Sequence, residues 1–166
     1  MSKKALVQPF GMILIAFAFV WLLSLGEEYV IKTRVEPVGM KLNDWLNDFR
    51  FWGRVGIASS LVAGLLWYWL AQRKFRIDRL KNRDRRWFWV SLFILPLVAT
   101  GVAVYFTKPV QEGAWVANAA YGISALASYY FETAMFSPLA FKYTPVGAER
   151  LRFWEAVLTI RLRRNK

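Results

Sequence analysis

Long uncharged apolar runs dominate the hydrophobic pattern of this chain. A helix needs about 20 apolar residues to cross a hydrocarbon core about 30 Å thick. Four runs come close to or exceed that length, and we predict that each is a transmembrane helix, with approximate bounds of residues 5–25, 55–72, 87–106 and 114–136. A cleavable signal peptide is the alternative interpretation of the first run, because Ser24 and Gly26 are spaced like a cleavage site. The run is long for a signal peptide, which favours a transmembrane helix. The pattern therefore predicts an all-α integral membrane protein, a bundle of four transmembrane helices.

Two amphipathic segments accompany the four runs. In residues 38–52 the apolar side chains recur at helical spacing with polar residues between them, which predicts a helix lying on the outer membrane surface. The tail, residues 142–166, mixes Leu151, Trp154 and Leu158 with arginines and predicts an interfacial helix on the inner leaflet. A helix that docks a soluble partner has the same pattern.

Lysine and arginine are distributed unequally between the segments that connect the runs. The N-terminus, the loop of residues 73–86 and the tail together contain 17 of them, and the segments on the opposite side contain six. Because short cytoplasmic loops are rich in these residues, we predict that both termini are cytoplasmic. The basic cytoplasmic face would include Arg73, Lys74, Arg76, Arg79, Lys81, Arg83, Arg85, Arg86, Arg161, Arg163 and Arg164.

This distribution accounts for the net charge of +12 without nucleic acid. Anionic inner-leaflet lipids favour juxtamembrane cations by about 1 kcal/mol each. We therefore expect contact with membrane lipids, including anionic ones, and no direct binding to nucleic acid. A basic platform for an acidic partner protein is the alternative explanation of the same charges. The expected location is the inner membrane of a bacterium.

The composition argues against an enzyme. The chain is 57% hydrophobic, above the 45–50% that is roughly usual for soluble proteins, and it has neither cysteine nor histidine. Thiolate and imidazole chemistry are thereby excluded, and no catalytic motif is present. We expect no metal, no cofactor and no catalytic residue.

Small residues at four-residue spacing predict two helix-packing faces, because small side chains let helix backbones approach closely in lipid. One consists of Gly56, Ser60 and Gly64, and the other of Ala120, Ser124 and Ser128. We interpret them as contacts inside the bundle or between protomers. A pore lining is the competing interpretation.

Polar residues inside the runs are candidates for function. Glu132 lies near the end of the fourth run, and acids within spans are usually paired or functional. The sequence leaves open whether Glu132 is interfacial, paired with Lys142 or a loop arginine, or buried as an ion or proton site. For Asn118 we predict a hydrogen bond between helices. Pro96 lies within the third run and is expected to bend that helix.

Three functions compete on these observations. The first is a non-catalytic inner-membrane subunit of a secretion, conjugation or phage-defence assembly, which forms a homo-oligomer and presents its basic face to a partner. The second is an immunity protein, because the four-span outline is similar to that of immunity proteins against pore-forming colicins. A loose sequence similarity to them follows the last span, at Phe136, Pro138, Ala140, Phe141 and Lys142. That similarity assigns no family. The third is an oligomeric ion channel or small transporter that uses Glu132.

Overall fold

The computed structural model describes residues 4–73, 82–107 and 110–136, together with residues 145, 147 and 148. Within them the protein is mostly helical. The elements in chain order are α1 (Lys4–Gly26), a π-helical turn (Glu27–Ile31), α2 (Lys32–Arg34), β1 (Glu36–Pro37), α3 (Leu42–Arg73), α4 (Asn82–Leu92), α5 (Ile94–Phe106), β2 (Val110–Glu112) and α6 (Ala114–Phe136).

Three helical segments are long and apolar enough to cross a membrane. They are Gln8–Gly26, Leu42–Ala71 and Asp84–Phe106, the last made of α4 and α5. Most of their apolar surface faces away from the protein, and only 11% of the apolar window of the third is buried. Exposed apolar surface of this extent is unfavourable in water and natural in hydrocarbon. The fold is therefore that of a helical membrane protein.

Consecutive long helical segments run in opposite directions, so that α3 and α6 are parallel to each other and the helix ends meet in two groups. At one end Gly11 of α1 contacts the ring of Phe136 of α6, and Trp67 of α3 packs with Trp89 of α4. We call this the terminal end, because α1 begins there and α6 ends there. The opposite end is the loop end. There β1 pairs with β2 in an antiparallel ribbon that ties the α1–α3 connection to the α5–α6 connection.

The predicted surface helix of residues 38–52 differs from what the structure contains. Its helical part begins at Leu42 and continues without a break to Arg73, so that α3 has 32 residues and is about 48 Å long. Trp45, Leu46 and Phe49 are buried against protein, where they join the core at the loop end. An apolar stripe has the same spacing whether it meets lipid or protein, which is why the sequence suggested an interfacial helix here.

The third span is interrupted at Phe93, between α4 and α5. Pro96 lacks an amide hydrogen and its ring crowds the carbonyl four residues earlier, that of Leu92. The amide of Phe93 instead bonds the Val90 carbonyl at 3.1 Å, a shortened turn, and Leu97 resumes the helical pattern by bonding the Phe93 carbonyl. The expected bend at Pro96 is therefore present as a one-residue break.

Buried polar contacts hold the loop end together. The π-helical turn directs Glu27 inward, where its carboxylate accepts two hydrogen bonds from the guanidinium of Arg50, at 2.6 and 2.7 Å. The indole of Trp45 donates to the Thr107 carbonyl at 3.1 Å, and the hydroxyls of Thr107 and Tyr121 are 2.6 Å apart. These bonds connect the end of α1, α3, the end of α5 and α6.

Candidate functional site

The α3–α6 interface is built from small residues. A Cβ atom added at Gly56 would lie 3.6 Å from the Cβ of Ala125, which is ordinary contact distance. One turn further along α3, the hydroxyl of Ser60 donates to the backbone carbonyl of Ala125 at 2.6 Å. A helix carbonyl is reached from a neighbouring helix only when the two backbones are close. Gly56, Ser60 and Gly64 thus lie within the bundle, on the face of α3 that meets α6.

The face of α6 that meets α3 differs from the predicted one. Five of the eight buried positions of α6 follow one face of the helix, namely Ala117, Tyr121, Ala125, Ser128 and Glu132. Ala120 and Ser124 are only half-buried, and the Ser124 hydroxyl bonds the carbonyl of Ala120 within its own helix. Residues spaced strictly four apart shift about 40° around the helix from one to the next. A straight interface instead uses residues spaced alternately three and four apart, so the four-residue repeat gradually turns away from it. Only Ser128 belongs to both sets.

Glu132 lies in this interface with its side chain fully enclosed, at 0% exposure. The hydroxyl of Ser128 donates to Oε1 at 2.7 Å. Oε2 has no hydrogen-bond partner among the residues that the structure describes. It faces Gly64, where an added Cβ atom would lie only 2.8 Å from it. Within the part of the chain that the structure describes, no lysine or arginine forms an ion pair with this carboxyl group.

The contact with Gly64 gives the depth of Glu132. Gly64 is nine residues after Val55 and eight before Gln72, at the middle of the uncharged run in α3. If that run crosses the hydrocarbon, the carboxyl group is level with the centre of the span. Its helix continues for another turn to Phe136. The geometry therefore favours the internal position over the interfacial one, and Lys142, the partner expected for an interfacial acid, lies outside the described residues.

Aromatic side chains from α4 enclose the same part of α6. The indole of Trp89 donates to the hydroxyl of Thr133 at 2.9 Å and stacks on Tyr129, with ring centroids 5.5 Å apart. Tyr129 in turn donates from its hydroxyl to the Trp89 carbonyl at 2.8 Å. No pattern in the sequence indicates this reciprocal Trp89–Tyr129 contact, because it depends on how α4 lies against α6.

The remaining predicted residues are less enclosed or fall outside the described part. Asn118 is exposed on α6, so the structure does not bury it between helices. Of the basic face, Arg86 is exposed and Arg85 half-buried at the start of α4. The backbones of Arg73 and Arg83 belong to helix ends. The other members, Lys74, Arg76, Arg79, Lys81, Arg161, Arg163 and Arg164, lie outside the described residues.

Chemically, the site offers one carboxyl group and hydroxyl groups. Among the described residues, no group of three potential metal ligands of the His, Cys, Asp or Glu type comes together. Among the described residues, the polar groups next to the carboxyl group are hydroxyls such as that of Ser128, an arrangement that can exchange a proton or hold helices together through hydrogen bonds. The chain matches no known family model, and searches of curated proteins and of solved structures also find no match.

Proposed function

We propose that this protein is a non-catalytic subunit of a bacterial inner-membrane assembly, which presents a basic cytoplasmic face to an acidic partner protein. The proposal includes four membrane crossings with both termini in the cytoplasm. The observation that carries it is the packing of α6, which runs antiparallel to α1 and α5 and parallel to α3. The start of α1, the end of α3 and the end of α6 therefore lie at one end of the bundle, and the three segments richest in lysine and arginine adjoin these helix ends in the sequence.

The length and position of α6 support the fourth crossing. Its 23 residues give a helix about 34 Å long, enough for a hydrocarbon core of about 30 Å. It is less apolar than the other spans, but three of its polar side chains, those of Ser128, Glu132 and Thr133, are buried. A helix sheltered in this way does not need a continuous apolar surface.

The proposed homo-oligomer needs a contact between protomers other than the small-residue face of α3. The small residues of α3 that were candidates for joining protomers pack against α6 of the same chain. Oligomerisation would therefore have to use outward faces of the bundle. Assembly through the basic terminal end does not depend on those small residues.

The orientation is testable because the chain contains no cysteine. Single cysteines are introduced at Val38, exposed at the loop end, and at Ser2. A membrane-impermeant maleimide applied to spheroplasts should label the Val38→Cys chain at once and the Ser2→Cys chain only after the membrane is permeabilised. Labelling of Ser2→Cys in intact spheroplasts would refute the proposed orientation.

The partner is tested with charge-neutralised variants of the full chain in nanodiscs. We expect Arg79→Gln, Lys81→Gln and Arg83→Gln together to lose a cytoplasmic protein that the wild type retains. The matched control neutralises Lys32 and Lys41 on the opposite side, and the maleimide assay verifies that each variant keeps its orientation. Equal retention by both variants, or recovery of the chain alone, would count against the proposed subunit role.

A channel or transporter is a second candidate, favoured by one observation, the level of Glu132 at the middle of the α3 run. Acids at that depth often mark ion or proton pathways. Proton or cation flux into proteoliposomes that disappears in Glu132→Gln would support this function. Absence of flux in the wild type under an imposed gradient would remove it.

A further inference from the structure

We infer that the Glu132 carboxyl group is a proton-binding site, and that its proton controls the contact between α3 and α6. The inference depends on α3 and α6 crossing the bilayer. It shares the crossing of α6 with the proposed function but does not depend on any partner of the basic face, so that failure to recover a partner leaves it standing.

The space around Oε2 indicates which ligand fits. An added Cβ atom at Gly64 would lie 2.8 Å from Oε2, closer than real Cβ atoms approach their neighbours. A metal ion needs several oxygen ligands arranged around it at more than about 2 Å, and α3 already occupies that space. A proton adds almost no volume. It is therefore the cation that this enclosed carboxyl group can bind without moving the helices.

Among the described residues, the helices packed against α6 supply no charge beside Glu132 that would compensate an ionised carboxylate. Residues 8–26 of α1, 55–72 of α3 and 94–106 of α5 contain no Asp, Glu, Lys or Arg. On α6 the neighbouring titratable groups are Tyr129 and Tyr130. The charged side chains described on α4, those of Asp84, Arg85 and Arg86, lie at its start, at least three residues before Trp89.

Hydrogen bonding gives the two carboxyl oxygens different roles. Oε1 accepts from Ser128 and therefore acts as the carbonyl oxygen, while Oε2 carries the proton. A neutral acid with one unsatisfied hydroxyl is far less costly in an apolar interior than an unpaired carboxylate. Loss of the proton would place that unpaired charge against the backbone of α3. The helices would then have to separate enough to admit water or a cation.

The proton is tested by infrared difference spectroscopy of the full chain in lipid at neutral pH. The wild type should show the carbonyl band of a neutral carboxylic acid, sensitive to deuterium exchange, and Glu132→Gln should lack it. Ser128→Ala, which removes the donor to Oε1, should shift the band to higher frequency. Glu27→Gln is the matched control and should leave the band unchanged. A wild-type spectrum without any band that Glu132→Gln loses would overturn the site.

The coupling is tested with a disulfide across the interface. Gly56→Cys and Ala125→Cys place two Cβ atoms about 3.6 Å apart, a distance that suits a disulfide, in a chain that has no other cysteine. The rate of disulfide formation is measured from about pH 6 to about pH 9 in this double-cysteine chain, once with Glu132 intact and once with the added substitution Glu132→Gln. The ratio of the two rates cancels the titration of the thiols themselves.

We expect the ratio of the rate with Glu132 intact to the rate with Glu132→Gln to fall about tenfold or more at the alkaline end, because only the chain that keeps Glu132 loses a proton there. A ratio independent of pH would show that the proton does not control the interface. If Glu132→Gln fails to assemble, Glu132→Ala replaces it as the reference chain that has no carboxyl group at this position. The band shift expected for Ser128→Ala tests the site independently of either variant.

Discussion

Oε2 of Glu132 lies against the backbone of Gly64, so that these two residues fix the register of α6 on α3. Gly64→Ala should force the enclosed carboxyl group to move and destabilise the protein by roughly 1–3 kcal/mol, the usual cost of overpacking a core. The measurement is the free energy of unfolding in mixed detergent micelles.

A double-mutant cycle makes this test specific. In a Glu132→Ala background the carboxyl group that the new methyl group would meet is absent, and Gly64→Ala should then lower the free energy of unfolding only slightly. Gly122→Ala is the matched control, because no atom from elsewhere in the protein lies within 4 Å of the position of its Cβ atom. It should match or exceed wild-type stability, by up to about 1 kcal/mol, since alanine favours a helix. Equal effects at the two glycines would contradict the described register.

The ion pair of Glu27 and Arg50 should stabilise the loop end. Arg50→Gln leaves Glu27, 3% exposed, without its cationic partner. Breaking a fully buried pair costs about 3–5 kcal/mol, and we expect roughly 1–3 kcal/mol here because the Arg50 side chain is 44% exposed. Glu27→Gln combined with Arg50→Gln should recover part of that loss. A double variant less stable than Arg50→Gln alone would argue against a paired Glu27.

The helix bounds are more predictable from the sequence than the contacts between helices, for identifiable reasons. The bounds of α1 and α6 lie within a residue of the predicted runs, because charged residues or turn-forming residues flank a long, mostly apolar stretch. The start of α3 is not predictable in this way, because the spacing of apolar residues is the same in a helix that lies on lipid and in one that packs on protein. The extension of α3 to Leu42 is recognisable only from the structure, in which Trp45 and Phe49 are buried in the core.

The candidate site was predictable in its residues but not in its geometry. An acid in an apolar run, and glycine and serine four residues apart in another, are visible in the sequence. Gly64 and Glu132 are more than 60 residues apart in the chain. Their contact depends on the relative register of α3 and α6, which no local pattern encodes. The choice of Ala125 rather than Ser124 for the contact likewise depends on the direction from which α3 approaches α6.

Tyr121 should contribute to stability through its hydroxyl group. That hydroxyl is 2.6 Å from the Thr107 hydroxyl and 3.3 Å from the Phe49 carbonyl, in a buried position where water cannot replace either partner. Tyr121→Phe should therefore destabilise the protein by about 1 kcal/mol, and thermal unfolding in detergent is the measurement. Tyr105→Phe, at a side chain that is 80% exposed, is the control and should be neutral. Indistinguishable melting of the two variants would exclude the proposed contribution.

The hydroxyl of Ser60 offers a measure of how strongly a side-chain hydrogen bond holds α3 to α6. Ser60→Ala removes the donor to the Ala125 carbonyl, and interhelical bonds in membranes are worth about 0.6 kcal/mol on average and up to about 2. Ser91→Ala is the matched control, because the Ser91 hydroxyl is exposed and bonds the Trp87 carbonyl of its own helix. We expect Ser60→Ala to lower the free energy of unfolding in mixed micelles and Ser91→Ala to leave it within a few tenths of a kcal/mol. A loss confined to Ser60→Ala would show that α3 and α6 are bonded to each other, whereas equal losses would show that only local helix propensity had changed.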